Sequence, residues 1–231
     1  MRKIVLVAIF ISNAIYSFGQ NKFGVTIYQN TDIFETQYYE SRTMEMTKVK
    51  NVNFNRITLA VDLDTKKGYT HEIEFLIPEI SKPLDNIQFP LNYEFRKDET
   101  FDGEASSYSF RYEVSKTLTN KAKRFSFLLG AGINPYYVHI EYEPNVETTY
   151  YSSTQLYGFA LNVTPRIRYK VSQRFSVDLN VPLKIYDLRG EKNKTENPAI
   201  PIRQQTTNDY SNIFFESAYT IRFGLMYKLN K

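Results

Sequence analysis

Two histidines and no cysteine limit the chemistry that this chain of 231 residues can perform. His139 is the better placed of the two, because a histidine beside a carboxylate and a hydroxyl can act as a general base. The residues that could join it are Tyr137, Glu141, Tyr142, Glu143, Ser152 and Ser153. A histidine among tyrosines near a strand end is more often a polar surface residue, so we assign no catalytic residue.

The same scarcity argues against a metal or cofactor site. His71 and His139 are far apart in the chain, whereas histidine metal sites need further ligands at close, regular spacing. Without cysteine, thiolate metal sites, disulfides and a lipid-modified cysteine anchor are excluded. Gly130 and Gly132 alternate within a strand pattern and form no phosphate-binding loop. We expect no metal and no cofactor.

The first 19 residues predict a secretory signal peptide. Arg2 and Lys3 precede a short apolar run over 4–11, and Ser17-Phe18-Gly19 is a small-x-small cleavage site. Removing these two basic residues from the 29 in the chain leaves 27 basic against 25 acidic residues, which gives no reason to expect nucleic acid as a partner. We expect a single exported domain over residues 20–231.

Apolar and polar residues alternate along most of this domain, most plainly near its end. Tyr219, Ile221, Phe223, Leu225, Tyr227 and Leu229 share one face, opposite Thr220, Arg222, Gly224 and Lys228. A period of two predicts a strand with one apolar and one polar face. Eight such strands can be counted, beginning near Phe23, Ile57, Tyr69, Tyr108, Phe125, Leu156, Phe175 and Phe215.

The connections between these strands alternate in length. Segments 64–68, 119–124 and 172–174 are short, whereas 30–53, 79–107, 143–154 and 189–212 are long. This alternation predicts an eight-stranded antiparallel up-and-down transmembrane β-barrel, with short periplasmic turns and long extracellular loops. The hydropathy of segment 87–95 also alternates. A ninth strand there would break the alternation of short and long connections, so we interpret the segment as a hairpin within a loop.

The apolar faces indicate which side of the barrel meets lipid. They persist over more alternations than a soluble sheet usually has, and eight of them would overfill a small barrel interior. We therefore expect them to face outward. The strands that begin at Phe125 and Leu156 exceed the roughly 9–11 residues a bilayer requires, so their ends should project and could pair with another chain. The alternative is a secreted soluble β-sandwich or barrel, with the apolar faces turned inward around an apolar ligand.

The polar face carries a set of charges that we call the lumen charge network. It comprises Arg56, Glu72, Glu74, Arg111, Glu113, Arg166, Arg168, Asp178, Lys184, Glu216 and Arg222. Charged rings can line a porin-like pore. An eight-stranded barrel is filled by its own side chains, however, so we expect these charges to pair and plug the lumen.

The signal, the strand parity and the closing segment 219–229 resemble those of the OmpA/OmpX-type outer-membrane β-barrel family, in the form common in Bacteroidota. The resemblance is architectural and spans the mature chain. It implies a place in the cell outer membrane, contact with outer-membrane lipid, and a non-enzymatic role as a structural or surface-interaction component of the cell envelope. Candidate contact residues in the loops are Tyr38, Tyr39, Tyr150 and Tyr151. The alternative within this architecture is a lipid-modifying enzyme, which would need a hydroxyl and a carboxylate close to His139.

Overall fold

The computed structural model describes residues 22–40, 45–65, 67–75, 78–83, 94–96, 101–119, 124–144, 150–215 and 219–229. The signal segment 1–19 and most of the segment 87–95 lie outside this part of the chain. The described strands are β1 Lys22–Glu40, β2 Glu45–Asp64, β3 Tyr69–Phe75, β4 Glu79–Pro83, β5 Glu94–Arg96, β6 Phe101–Thr117, β7 Phe125–Pro144, β8 Ser152–Lys170, β9 Phe175–Asn180, β10 Leu183–Thr195, β11 Thr206–Phe214 and β12 Tyr219–Lys228.

These segments form a closed antiparallel barrel of eight strands, as predicted. Three barrel strands are interrupted and consist of β3 with β4, β9 with β10, and β11 with β12, while β1, β2, β6, β7 and β8 are continuous. The barrel closes where β1 pairs with β12, from Gly24 opposite Lys228 to Ile33 opposite Tyr219. The short β5 pairs in parallel with the far end of β1 and is not a barrel strand, so the parity of the connections holds.

Three short connections lie at one end of the barrel, which we call the turn end. They join β2 to β3, β6 to β7 and β8 to β9, as the sequence predicted. In the first of them Gly68 has a φ of 88°, a left-handed conformation that glycine adopts without steric cost. The opposite end of the barrel is called the loop end.

Two of the predicted long loops are mostly strand, and this part of the prediction is wrong. β1 and β2 stay paired out to Glu40 opposite Glu45, and β10 and β11 out to Lys194 opposite Thr206. Tyr38 and Tyr39 therefore lie on β1 and not in a loop. In sequence these segments are mostly polar, so they lack the hydropathy alternation by which strands are predicted.

The strand that the sequence predicts to begin near Phe175 is broken in two. Pro182 separates β9 from β10, since proline has no N–H to give to the ladder. β10 then has a bulge between Lys184 and Tyr186, and next to it Phe215 breaks β11 from β12 with a φ of 53°. The Phe215 N–H donates to the Ile185 carbonyl at 3.3 Å, so the two neighbouring strands bend at the same place.

Burial alternates along the strands, and the large apolar residues are on the outside. In β12, Phe223 and Leu225 are 49% and 58% exposed, whereas Arg222 on the opposite face of the same strand is 1% exposed. The same pattern holds in β3, β7, β8 and β9. The aromatic and aliphatic faces thus point away from the barrel axis, which disfavours a soluble barrel with an apolar ligand inside.

No helix in the described part of the chain is long and apolar enough to cross a membrane.

Candidate functional site: the barrel interior and the loop end

Arg166 lies at the centre of the barrel interior, and its side chain is fully buried. Its Nη1 donates to Oε2 of Glu72 at 2.7 Å, and its Nη2 donates to Oε1 of Glu113 at 2.9 Å. Arg166 comes from β8, while the two carboxylates come from β3 and β6. One guanidinium therefore links β8 to two strands that are not its neighbours in the sheet.

Arg222 reaches across the interior from the closing strand β12. Its Nη2 donates to Oε2 of Glu74 at 2.6 Å, and its Nη1 donates to Oδ1 of Asn180 at 3.1 Å. The guanidinium also lies over the ring of Tyr28, 3.8 Å from its centroid, in a cation–π arrangement. These contacts hold the seam where the first and last strands meet.

The other predicted charges surround this centre. Nη2 of Arg111 donates to Oε1 of Glu72 at 2.9 Å, and Nε of Arg168 donates to Oδ2 of Asp178 at 3.1 Å. At the loop side Arg56 donates to Oδ1 of Asp32 at 3.2 Å. Lys184 is half-buried opposite Asn162 on β8, and Glu216 lies outside the described residues.

Sequence reasoning missed several polar partners of these charges. Tyr28 was overlooked because only the apolar face of its strand was counted, yet its hydroxyl donates to Oε2 of Glu72 at 2.6 Å. Strand parity was the signal that could have found it. The other missed interior residues are Thr26, Asn30, Asp32, Thr58, Tyr136, Asp187 and Arg189.

Glycines on the inner face make room for the network. A β-carbon on Gly130 would lie within 2.7 Å of the Glu113 carboxyl carbon, and one on Gly224 within 2.6 Å of the Tyr28 ring. Real β-carbons do not come so close to neighbouring atoms. Both the carboxylate and the phenol ring therefore occupy space that only glycine leaves open.

The interior changes character toward the loop end. Tyr136 donates to Oδ1 of Asp187 at 2.9 Å, and Nη2 of Arg189 donates to the other oxygen of that carboxylate at 2.9 Å. Beyond this cluster, the inward residues of β6, β7 and β8 are small or apolar and almost fully buried: Ala105, Val138, Ile140, Tyr142 and Leu156. A charged layer and an apolar layer thus fill successive levels of the barrel.

Aromatic residues ring the outer surface at the turn end. Phe125 packs on Tyr169 with ring centroids 4.6 Å apart, and Phe175 on Tyr227 at 5.0 Å. Tyr69 continues the ring, with Nζ of Lys116 5.7 Å from its centroid. We call these five aromatic residues the turn-end girdle.

A second aromatic level crosses the sheet in register toward the loop end. Tyr108, Tyr137, Tyr157 and Tyr210 occupy one row of paired positions, which we call the tyrosine row, with Gly190 between the last two. The Tyr157 hydroxyl reaches that of Tyr210 at 3.2 Å. A β-carbon on Gly190 would be 2.5 Å from the Tyr157 ring, so glycine lets the ring lie across this strand.

Above the tyrosine row the outward residues become polar, and His139 is among them. Its Nε2 lies 3.1 Å from Oε1 of Glu141, which also accepts a hydrogen bond from the Tyr151 hydroxyl at 2.9 Å. The hydrogen bond from Tyr151, and then that with His139, hold the pKa of Glu141 below its ordinary value. Burial, followed by the contact with Glu141, raises the pKa of Tyr151 to about 12.

This cluster supplies only part of a general-base site. The required carboxylate is beside His139, but among the described residues no serine or tyrosine hydroxyl is hydrogen-bonded to the imidazole, whose Nδ1 is buried without a partner. Tyr151 contacts the carboxylate and not the histidine. Tyr150, one of the predicted contact residues, directly precedes Tyr151 and is 39% exposed.

The His71 imidazole is hydrogen-bonded to a neighbouring tyrosine. Its Nδ1 lies 2.9 Å from the Tyr112 hydroxyl, and the two rings are stacked. Within the described ranges, no group of three or more histidine or acidic side chains is arranged to hold a metal ion.

No protein-family model matches this chain, and no curated protein matches it in sequence. Among solved structures it is similar to Ail, the attachment invasion locus protein of Yersinia pestis, at 10% identity over 90% of this chain and 97% of that one, with a TM-score of 0.39. A major outer membrane protein from Thermus thermophilus has 10% identity over 89% and 99% of the two chains, with a TM-score of 0.45. The outer membrane protease OmpT from Escherichia coli has 8% identity over 90% and 93%, with a TM-score of 0.44. At these values the description of the barrel rests on the strand pairing of the chain itself.

Proposed function

We propose that this protein is a non-enzymatic β-barrel of the bacterial outer membrane, with a plugged lumen and a loop end that contacts other molecules of the cell surface or envelope. The observation that carries the membrane part is the apolar outer band between two aromatic levels. On β7 this band runs from Phe125 to Tyr137. The twelve steps between these two residues, at about 3.4 Å each and tilted by about 40°, rise roughly 30 Å, which matches the apolar core of a bilayer.

The outward residues change at the upper edge of that band. On β7 they are apolar or aromatic up to Tyr137 and then become His139 and Glu141. The partner strand β8 has Tyr157 at the same level, followed by Gln155. A soluble protein has no reason to change its surface at one level on adjacent strands, whereas a lipid–water boundary requires it.

The plugged lumen is supported by the ion pairs that cross the barrel interior. Arg166 and Arg222 each contact carboxylates or amides from across the barrel, and both side chains are at most 2% exposed. Opening a water path would separate these ion pairs, and an uncompensated buried charge costs several kcal/mol. The apolar layer around Ile140 and Leu156 adds a second barrier at the loop end.

A surface-contact role is supported by the projecting ribbon of β10 and β11. All but one of the side chains of β11 are exposed; Tyr210, at 72%, lies at the loop-end edge of the apolar band, and Phe214, at 67%, lies within that band. Within the described residues, β11 pairs along one edge only, with β10. An exposed strand edge beside large aromatic residues can accept an added strand from another chain.

The experiment that tests this function is fractionation of expressing cells, followed by a heat-shift gel. We expect the protein to stay in the outer membrane after a carbonate wash and its unheated form to migrate differently from the heated one. Recovery in a soluble fraction would overturn the proposal. For the contact role, a photo-crosslinking residue at Tyr210 should give discrete protein adducts on cells, whereas the same residue at Leu129, which faces outward within the apolar band, should not.

A further inference from the structure

The two ends of the barrel differ strongly in charge. The three short connections, 64–68, 119–124 and 172–174, contain six basic residues and one acidic residue. The predicted long connections 30–53, 79–107, 143–154 and 189–212 together contain ten basic and sixteen acidic residues. The nearly neutral chain thus has a basic turn end, and Lys22 and Lys228 at the first and last strands add to it.

An open cavity of about 280 Å³ occupies the turn-end mouth of the barrel. Its lining includes four basic side chains, Lys22, Arg168, Lys170 and Lys228, and one acidic side chain, Asp64. Hydroxyl groups of Thr70, Ser126 and Ser176 lie among them. These side chains face the barrel axis, inside the turn-end girdle, and so are separated from the lipid that surrounds the barrel.

The Asp64 carboxylate already contacts two of these basic side chains. Oδ2 of Asp64 accepts from Nζ of Lys228 at 2.7 Å, and its Oδ1 lies 3.7 Å from Nη1 of Arg168. Among the described residues, neither Lys22 nor Lys170 has an ion-pair partner. Both lysines are exposed, so the mouth holds positive charge that the protein itself does not neutralise.

Arg168 forms the floor of the cavity and is anchored from behind. Its side chain is 9% exposed, and its Nε donates to Asp178 at 3.1 Å. Its Nη2 is buried without a hydrogen-bond partner, 4.0 Å from Oδ1 of Asp62. A guanidinium fixed at the floor, beneath two flexible ammonium groups whose charge the protein does not neutralise, attracts a carboxylate.

We propose that the turn-end mouth binds an acidic peptide segment, with one carboxylate directed toward Arg168 and further carboxylates on Lys22 and Lys170. The exposed basic residues Lys67, Arg124 and Arg174 at the same end of the barrel extend the positive field beyond a single anion, which favours a chain of several negative charges over a lone ion. In the orientation of the proposed function, such a segment would belong to a periplasmic partner. The binding chemistry itself does not depend on that orientation.

The test is binding of a fluorescent hexaglutamate peptide to the purified barrel in zwitterionic micelles. We expect saturable binding that weakens as salt rises, and a Kd at least about fivefold higher for the Lys22→Gln/Lys170→Gln variant, since each exposed charge contributes modestly. The matched control is Lys192→Gln/Lys194→Gln, which removes the same charge at the loop end and should leave the Kd unchanged. All these lysines are partly or largely exposed, and a heat-shift gel verifies that both variants remain folded.

Absence of binding, or equal losses in the two variants, would overturn the proposal. So would inorganic phosphate that binds as tightly as the peptide at the same salt, because the mouth would then be a small-anion site. Failure of the outer-membrane assignment is seen independently in the fractionation, since peptide binding is measured on the isolated barrel.

Discussion

Gly130 on β7 faces Glu113 on β6 so closely that a β-carbon on the glycine would lie within 2.7 Å of the carboxyl carbon. That carboxylate accepts a hydrogen bond from Nη2 of Arg166 at 2.9 Å and is 1% exposed, so it cannot swing away without breaking the pair. We expect Gly130→Ala to destabilise the barrel by about 1–3 kcal/mol, the usual cost of overpacking. Urea unfolding followed by heat-shift gel measures this.

The matched control for this substitution is Gly24→Ala, on the same inner face. A β-carbon there would meet its nearest neighbours at 3.4–3.6 Å, which is ordinary van der Waals contact. We expect a change within about 0.5 kcal/mol. Equal effects at the two positions would contradict the packing described for Glu113.

Arg222→Ala should be among the most destabilising single substitutions in the interior. It leaves Asn180 without its guanidinium contact and Glu74 with only the longer, 3.4 Å one to Arg111, and removing one partner of a buried ion pair costs about 3–5 kcal/mol. Combining Arg222→Met with Glu74→Gln should recover part of the loss, because no buried charge is then left unpaired. Arg203→Ala, at an exposed position, is the control and should have no effect on unfolding.

The purified barrel should show little or no steady conductance in planar bilayers. Its interior is occupied by the charge network around Arg166 and by the apolar layer around Ile140. Large, reproducible openings of the unaltered protein would refute the plugged lumen.

A charge in the middle of the apolar band should be costly. Ala131 faces outward about midway between Phe125 and Tyr137, and we expect Ala131→Arg to destabilise the barrel in lipid vesicles by about 2–4 kcal/mol. Gln155→Arg faces outward above the tyrosine row and should change stability little. Similar, small effects of both substitutions would argue that the band is not in lipid.

The loop-end cluster around Glu141 should respond to pH in a defined direction. Its carboxyl pKa is lowered, first by the hydrogen bond from Tyr151 and then by that with His139. Any stability from these contacts is therefore present above the ordinary carboxyl pKa and is lost as pH falls through the lowered one. Tyr151→Phe should raise the Glu141 pKa toward its ordinary value, as read by NMR of ¹³C-labelled glutamate carboxyls. Tyr150→Phe removes a neighbouring hydroxyl and should not.

The sequence by itself determined the number of barrel strands, the three turns and the polar strand faces that carry the central charges such as Arg166, Glu72 and Arg222. These features follow from local rules, because side chains alternate with a period of two and turn residues punctuate the strands. The positions of Arg166 and Arg222 on the polar faces could thus be read directly from their neighbours.

Only the tertiary structure decided which charges meet. Arg166 contacts Glu72, 94 positions earlier in the chain, and Arg222 contacts Glu74, 148 positions earlier. Such pairs depend on the register of every intervening strand and on the closure of the sheet, which a local pattern does not encode. The same holds for the outward direction of the apolar faces and for the loop-end ribbons. Periodicity is identical whichever face turns inward, and a polar strand lacks the alternation that distinguishes it from a loop.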